Sequence, residues 1–133
     1  MTKPTTKILI VDDDDSVREA VRLSLQAQEY LTIESSEAID VESAMKQMEA
    51  INPDIVILDL YLPDKSGLEF MDMIHRKKRF AKTEIIMLTA YDTLGNIFEA
   101  EKKGIGAYHF IGKPFNVAEL QALVLSIALP KKI

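Results

Sequence analysis

The chain has 133 residues, of which 47% are hydrophobic and 28% charged, and a net charge of −5. That length suits one domain, the composition suits a packed core, and the acidic balance argues against nucleic acid or an anionic membrane as the main partner. There is no cysteine, which excludes a disulfide framework, a zinc–thiolate site and a thiol nucleophile. The apolar run Ile8–Val11 is too short for the core of a signal peptide. The longest later stretch, about Ala122–Leu129, falls well short of the ~20 residues needed to span a bilayer. These features predict one cytoplasmic domain over residues 1–133, with its core from about 7 to 128.

In chain order, short apolar runs alternate with helical patterns. Lys7–Val11 is a compact strand, followed by one helical face at Val17, Ala20, Val21, Ser24 and Leu25. Tyr30–Ser35 is a weaker strand. Val41, Ala44, Met45 and Met48 then recur at i, i+3, i+4 and i+7, the signature of a second helix. Asp54–Leu60 is the strongest strand, and Leu68, Met71 and Ile74 mark a third helix. Glu84–Thr89 is the fourth strand. Leu94, Ile97 and Phe98 suggest a fourth helix, weakened by Gly95 at a cost of ~1 kcal/mol relative to alanine. Ala107–Ile111 is the fifth strand, and Val117, Leu120, Val124 and Ile127 a fifth helix. Ser16-x-x-Glu19, Ser66-x-x-Glu69 and Asn116-x-x-Glu119 read as helix-capping signals. Strands that are apolar at nearly every position are covered on both faces. Five β-then-α units of this kind predict a doubly wound α/β fold around a five-stranded parallel sheet with five helices.

Open parallel sheets bind ligands outside the C-terminal ends of their strands. The polar residues predicted there are Asp12 and Asp13 after the first strand, Asp59 at the third, Thr89 at the fourth and Lys113 after the fifth. Converging carboxylates repel unless a cation relieves them, and Mg²⁺ takes hard oxygen ligands. A lysine and a hydroxyl on the other side suit phosphoryl oxygens. The set therefore points to phosphoryl transfer, with Asp59 as the nucleophile that would form an aspartyl-phosphate. In the run Ile10-Val11-Asp12-Asp13-Asp14-Asp15, only the first two acids are assigned to the metal. Asp14 reads as a loop residue, and Asp15 or Ser16 as the cap of a helix starting at Val17.

Taken in order and with their spacing, Ile8–Asp13, Asp54–Leu60 with Pro63 and Gly67, Leu88-Thr89-Ala90, Gly106-Ala107 and Lys113-Pro114-Phe115 resemble the receiver domain of two-component response regulators. The resemblance covers about Lys7–Ile127. It implies a flavodoxin-like receiver fold with strand order 2-1-3-4-5. It implies that Asp59 is the phosphoacceptor, that Asp13 binds Mg²⁺ directly, and that Asp12 acts through a metal-bound water. The Tyr61 backbone carbonyl would be a further ligand. Thr89 and Lys113 would contact the phosphoryl group, Thr89 and Phe110 would form the switch, and the Lys113–Pro114 bond would be cis. Phe110 lacks the hydroxyl of a tyrosine switch. Tyr61 and Tyr91 would either shield the acyl phosphate or simply lie on the surface.

The implied activity is phosphorelay signalling, in which a sensor histidine kinase or phosphotransfer protein phosphorylates Asp59. The protein would catalyse only its own phosphorylation and dephosphorylation. A downstream protein or output domain would read the face made by the fourth helix, fifth strand and fifth helix, with the chain a monomer or a phosphorylation-dependent dimer. Little follows Ile127, so either a stand-alone receiver or the receiver of a longer regulator fits. Two other classes are disfavoured. Haloacid-dehalogenase-type phosphatases need an aspartate where Tyr61 stands, and a flavin or nucleotide module needs a Gly- or Ser/Thr-rich loop where Asp12–Asp15 stand.

Overall fold

The computed structural model describes residues 3–90 and 108–129. In chain order these form β1 (Thr5–Val11), α1 (Asp15–Gln26), β2 (Thr32–Ala38), α2 (Val41–Ile51), β3 (Ile55–Leu58), α3 (Gly67–His75), a 3-10 turn (Lys78–Phe80), β4 (Glu84–Ala90), β5 (Tyr108–Lys113) and α4 (Val117–Ala128). The helix predicted at Leu94, Ile97 and Phe98 lies outside the described residues, so four α-helices are described where the sequence predicts five, and α4 corresponds to the last of them. The strands make one sheet in the order β2-β1-β3-β4-β5, with every pairing parallel.

The continuous apolar runs have a simple cause. Successive side chains on a strand point to opposite faces, and here both faces are covered. Ile8, Ile10, Ile55, Ile57, Ile86 and Leu88 pack under α1 and α4 with Val21, Leu25, Leu120 and Val124. Leu9, Val11, Val56, Leu58, Ile85 and Met87 pack under α2 and α3 with Ala44, Met48, Phe70 and Ile74. Each such buried side chain contributes ~1.5–3 kcal/mol, which is why no position of β1 from Ile8 to Val11 is polar.

Pairing moved several strand ends. β1 starts at Thr5, and β2 occupies Thr32–Ala38 rather than Tyr30–Ser35, because the ladder runs from Thr5↔Thr32 to Val11↔Ala38. Tyr30 instead lies in the preceding turn, where the Gln28 side chain accepts from the amides of Tyr30 and Leu31. β5 continues past Ile111 because Gly112 and Lys113 pair with Thr89 and Ala90. β3 is shorter than predicted, Ile55–Leu58, which leaves Asp54 and Asp59 just outside its ends.

The helix starts also differ in part. α1 is capped by Asp14, not by Asp15 or Ser16: its Oδ1 accepts from the amides of Ser16 at 2.9 Å and Val17 at 3.4 Å. Asp15 falls in the first turn, where its charge faces the positive end of the helix dipole. Ser66 and Asn116 cap α3 and α4 by accepting from Glu69 and Glu119, as their spacing predicts. α2 carries an unanticipated capping box of Asp40 and Ser43, and the Asp64 carboxylate reaches across to accept from the amides of Val41 and Glu42 at 2.9 and 3.0 Å.

Gly67 opens α3 against the exit of β3. A Cβ there would sit 2.7 Å from the Asp59 carbonyl oxygen and 2.8 Å from the Leu60 Cα. Both are backbone atoms that cannot swing aside. Gly67→Ala is therefore expected to cost about 1–3 kcal/mol, read by urea unfolding, whereas a variant as stable as wild type would show that the β3–α3 junction can give.

Candidate functional site

The sheet order creates the site. After β1 the chain turns back to β2 on one side, and the next strand, β3, lies on β1's other side. That is a switch point, where the strand ends part and leave a crevice. Val11 pairs with Leu58, so Asp12 and Asp59 emerge side by side. The Asp59 amide donates to the Val11 carbonyl at 2.9 Å, and the Asp12 amide to that of Ala38 at 3.1 Å. β4 and β5 bring Thr89 and Lys113 to the same edge.

The carboxylates of Asp12, Asp13 and Asp59 have oxygens within 4.8 Å of one another. Asp12, Asp59 and Thr89 are buried, at 2%, 7% and 0% exposure, and Asp13 is exposed at the rim. Two like charges at about 5 Å repel by ~3 kcal/mol at the effective dielectric of a protein. Lys113 offsets part of this. Its Nζ donates to Asp12 Oδ2 at 2.7 Å and to Asp59 Oδ2 at 3.1 Å. On the other Asp59 oxygen, Oδ1 accepts from the Thr89 hydroxyl at 3.3 Å and the Tyr61 amide at 3.2 Å. Asp12 Oδ1 accepts from the Asp14 amide at 2.9 Å.

Three carboxylates against one ammonium leave two negative charges in the cluster. A divalent cation balances them. The donors are all hard carboxylate oxygens, with no imidazole among them, which fits Mg²⁺ rather than a softer metal.

The sequence-predicted Asp12, Asp13, Asp59, Thr89 and Lys113 are thus brought together. Tyr61 joins through its amide, while its ring is largely exposed. Phe110 lies further along β5, partly buried against the cluster under α2 and α3. The Lys113–Pro114 bond is cis. Tyr91 lies outside the described residues. Sequence reading missed Arg18, which is buried and donates to the Asp12 carbonyl oxygen at 2.6 Å. Its only sequence signal is the i, i+3 spacing from Asp15, which by itself describes an ordinary surface pair.

Similarity to known proteins defines the class. The chain matches the response regulator receiver domain family over residues 8–125. It is 34% identical over 122 residues to the alkaline phosphatase synthesis transcriptional regulatory protein PhoP of Bacillus subtilis, covering 91% of this chain and 48% of that protein. It is 32% identical over 123 residues to the phosphate regulon transcriptional regulatory protein PhoB of Klebsiella pneumoniae, covering 91% and 51%. The chain therefore spans about half the length of these curated relatives. Among solved structures, the chemotaxis response regulator CheY4 of Vibrio cholerae superposes with a TM-score of 0.76 at 28% identity, covering 95% of this chain and 99% of that one. The chain belongs to the receiver domain family of two-component response regulators, a family of phosphorelay signalling domains.

Asp12 and Lys113 both have raised pKa values, so each loses its stabilising contribution as pH rises, in different pH windows. Burial raises the Asp12 pKa above its ordinary 3.8, although the hydrogen bond from Lys113 pulls the other way. Asp12 therefore favours the folded state below about pH 3.8, and that contribution disappears as pH climbs through the raised value. Burial opposes the Lys113 charge, but the hydrogen bond to Asp12 and the attraction of Asp59 and Asp12 outweigh it and raise its pKa above 10.5. Its stabilisation is present at neutral pH and is lost as pH rises beyond that value. Lys113→Met is expected to lower metal-free stability at pH 7 by about 2 kcal/mol, less than the ~3–5 for breaking a fully buried pair. The deficit should shrink as pH falls and Asp12 protonates. Unfolding free energies at pH 7 and at pH 3.8, the ordinary carboxyl value below the raised one, test this, and a deficit independent of pH would contradict it.

Proposed function

We propose that Asp59 accepts a phosphoryl group from a phosphohistidine on a sensor histidine kinase or phosphotransfer protein. The observation that carries this reading is the convergence of Asp12, Asp13 and Asp59 with Lys113 and Thr89 at one sheet edge. An Asp59 carboxylate oxygen attacks phosphorus, the P–N bond to the donor imidazole breaks, and nitrogen keeps the electron pair. Asp12, Asp13, Asp59 and the Tyr61 carbonyl would hold Mg²⁺. When bound, that cation supplies neutralisation of the carboxylates and phosphoryl oxygens.

Lys113 already rests on Asp59 Oδ2 and can pair with the oxygens that arrive there. Thr89, fully buried beside Oδ1, supplies a hydroxyl donor on the opposite side. Each contact is stronger in the phosphorylated state, and such differential stabilisation is what shifts a two-state switch. Thr89 and Phe110 are the switch pair in this reading, Phe110 moving with β5 as Thr89 is drawn to the phosphoryl group.

The domain acts on itself rather than turning over an external substrate. The readout surface includes β5 and α4; the fourth helix that the sequence assigns to it lies outside the described residues. Through it the domain meets a downstream protein or output domain, as a monomer or a dimer formed on phosphorylation. No helix among the described residues is long and apolar enough to cross a membrane. We assign one receiver domain to residues 1–133, working in the cytoplasm.

A small acyl phosphate with Mg²⁺ is expected to label the protein with an acid-stable, base-labile phosphate, and Asp59→Asn to abolish the label. Label that persists in Asp59→Asn would refute the assignment. Mg²⁺ alone is expected to raise the melting temperature, by an amount corresponding to ~2.7 kcal/mol at a hundredfold excess over its dissociation constant. Asp13→Asn should remove most of that rise, and an undiminished rise in calorimetric scans would exclude Asp13 as a ligand.

A further inference from the structure

We infer that Arg18 is a positioning residue for the metal-binding turn, acting through the Asp12 backbone. This rests on the reading of Asp12 and Asp13 as metal ligands.

Arg18 lies in the first turns of α1 and is 8% exposed. One guanidinium serves three acceptors on three elements. Nη1 donates to the Asp12 carbonyl oxygen at 2.6 Å, Nε donates to Glu37 Oε1 at 3.0 Å near the end of β2, and Nη2 pairs with Asp15 at the start of α1. The planar fork of arginine suits this task, since its donors are fixed relative to one another.

The Asp12 carbonyl belongs to the peptide that joins Asp12 to Asp13. The orientation of that peptide sets the direction in which Asp13 leaves β1. The other hydrogen-bonding groups of Asp12 are already held: its amide by Ala38, Oδ1 by the Asp14 amide and Oδ2 by Lys113. Arg18 holds the carbonyl, the remaining polar group of the residue. With it gone, this buried carbonyl loses its partner and the peptide is free to turn toward water. The Asp13 carboxylate would turn with it, away from Asp12 and Asp59.

Charge alone predicts the reverse. A cation near a metal site repels Mg²⁺, so deleting Arg18 would strengthen binding. Glu37 and Asp15 blunt that repulsion by pairing with the guanidinium. Support of a ligand from outside the coordination sphere is worth 10–100-fold in metal affinity, so positioning should dominate.

The test is calorimetric Mg²⁺ titration of the whole chain as wild type, Arg18→Met and Arg18→Lys, with melting temperatures recorded without Mg²⁺. Both variants are expected to bind Mg²⁺ on the order of tenfold more weakly. Arg18→Lys weakens binding because it keeps the charge but loses the fork. It also carries the test if Arg18→Met does not fold. Unchanged or tighter binding in Arg18→Met, or wild-type binding in Arg18→Lys, would overturn the inference. A lowered melting temperature with an unchanged Mg²⁺ dissociation constant would leave Arg18 a purely structural role and overturn it equally. Absence of Mg²⁺ binding by wild type would instead strike the metal-site reading itself.

Discussion

The arrangement depends on a repulsion. Two neighbouring parallel strands, β1 and β3, end in carboxylates, and the sheet ladder holds them side by side whether or not their charges are compensated. The apolar layers on both faces supply the force that keeps the strands in register. Against tens of buried side chains, a few kcal/mol of carboxylate repulsion cannot open the sheet. The repulsion is therefore stored at the strand ends, where Lys113 relieves part of it. What remains is net negative charge at a carboxylate group that could hold a metal ion.

The surrounding loops are built to keep that charge in place. Asp14 caps α1 directly after the acidic pair. Gly67 lets α3 begin in contact with the backbone of Asp59 and Leu60. Asp64 ties the same loop to the start of α2, and its carboxyl pKa is lowered, first by the amide of Val41 and then by those of Glu42 and Lys65.

Much of this is legible in the sequence. The first, third and fourth strands are legible because the runs Ile8–Val11, Ile55–Leu58 and Ile85–Leu88, buried on both faces, contain no polar residue, although only pairing sets where those strands end. The caps at Ser66 and Asn116 were visible because their signals are local. The bounds of β2 are not legible in the sequence because an edge strand is half exposed: Thr32, Glu34 and Glu37 interrupt the apolar pattern, and only pairing with β1 defines its ends. The α1 cap is ambiguous in the sequence because four consecutive acids offer equivalent side chains, and the choice among them is made by where β1 stops.

Sequence alone determined the alternation of strands and helices, and the residue types available for chemistry: acids after the first and third strands, a hydroxyl at the fourth, an ammonium after the fifth. These are consequences of periodicity and composition within single segments. The tertiary structure decided which of them meet. Lys113 reaches Asp12 across 101 positions of chain, and Arg18 reaches Glu37 across 19, because strand order and register set those approaches. Contacts between distant segments leave no periodic trace in either segment. That is why the carboxylates, the lysine and the threonine could be named from sequence, while the arginine that holds the Asp12 backbone became visible only in the fold.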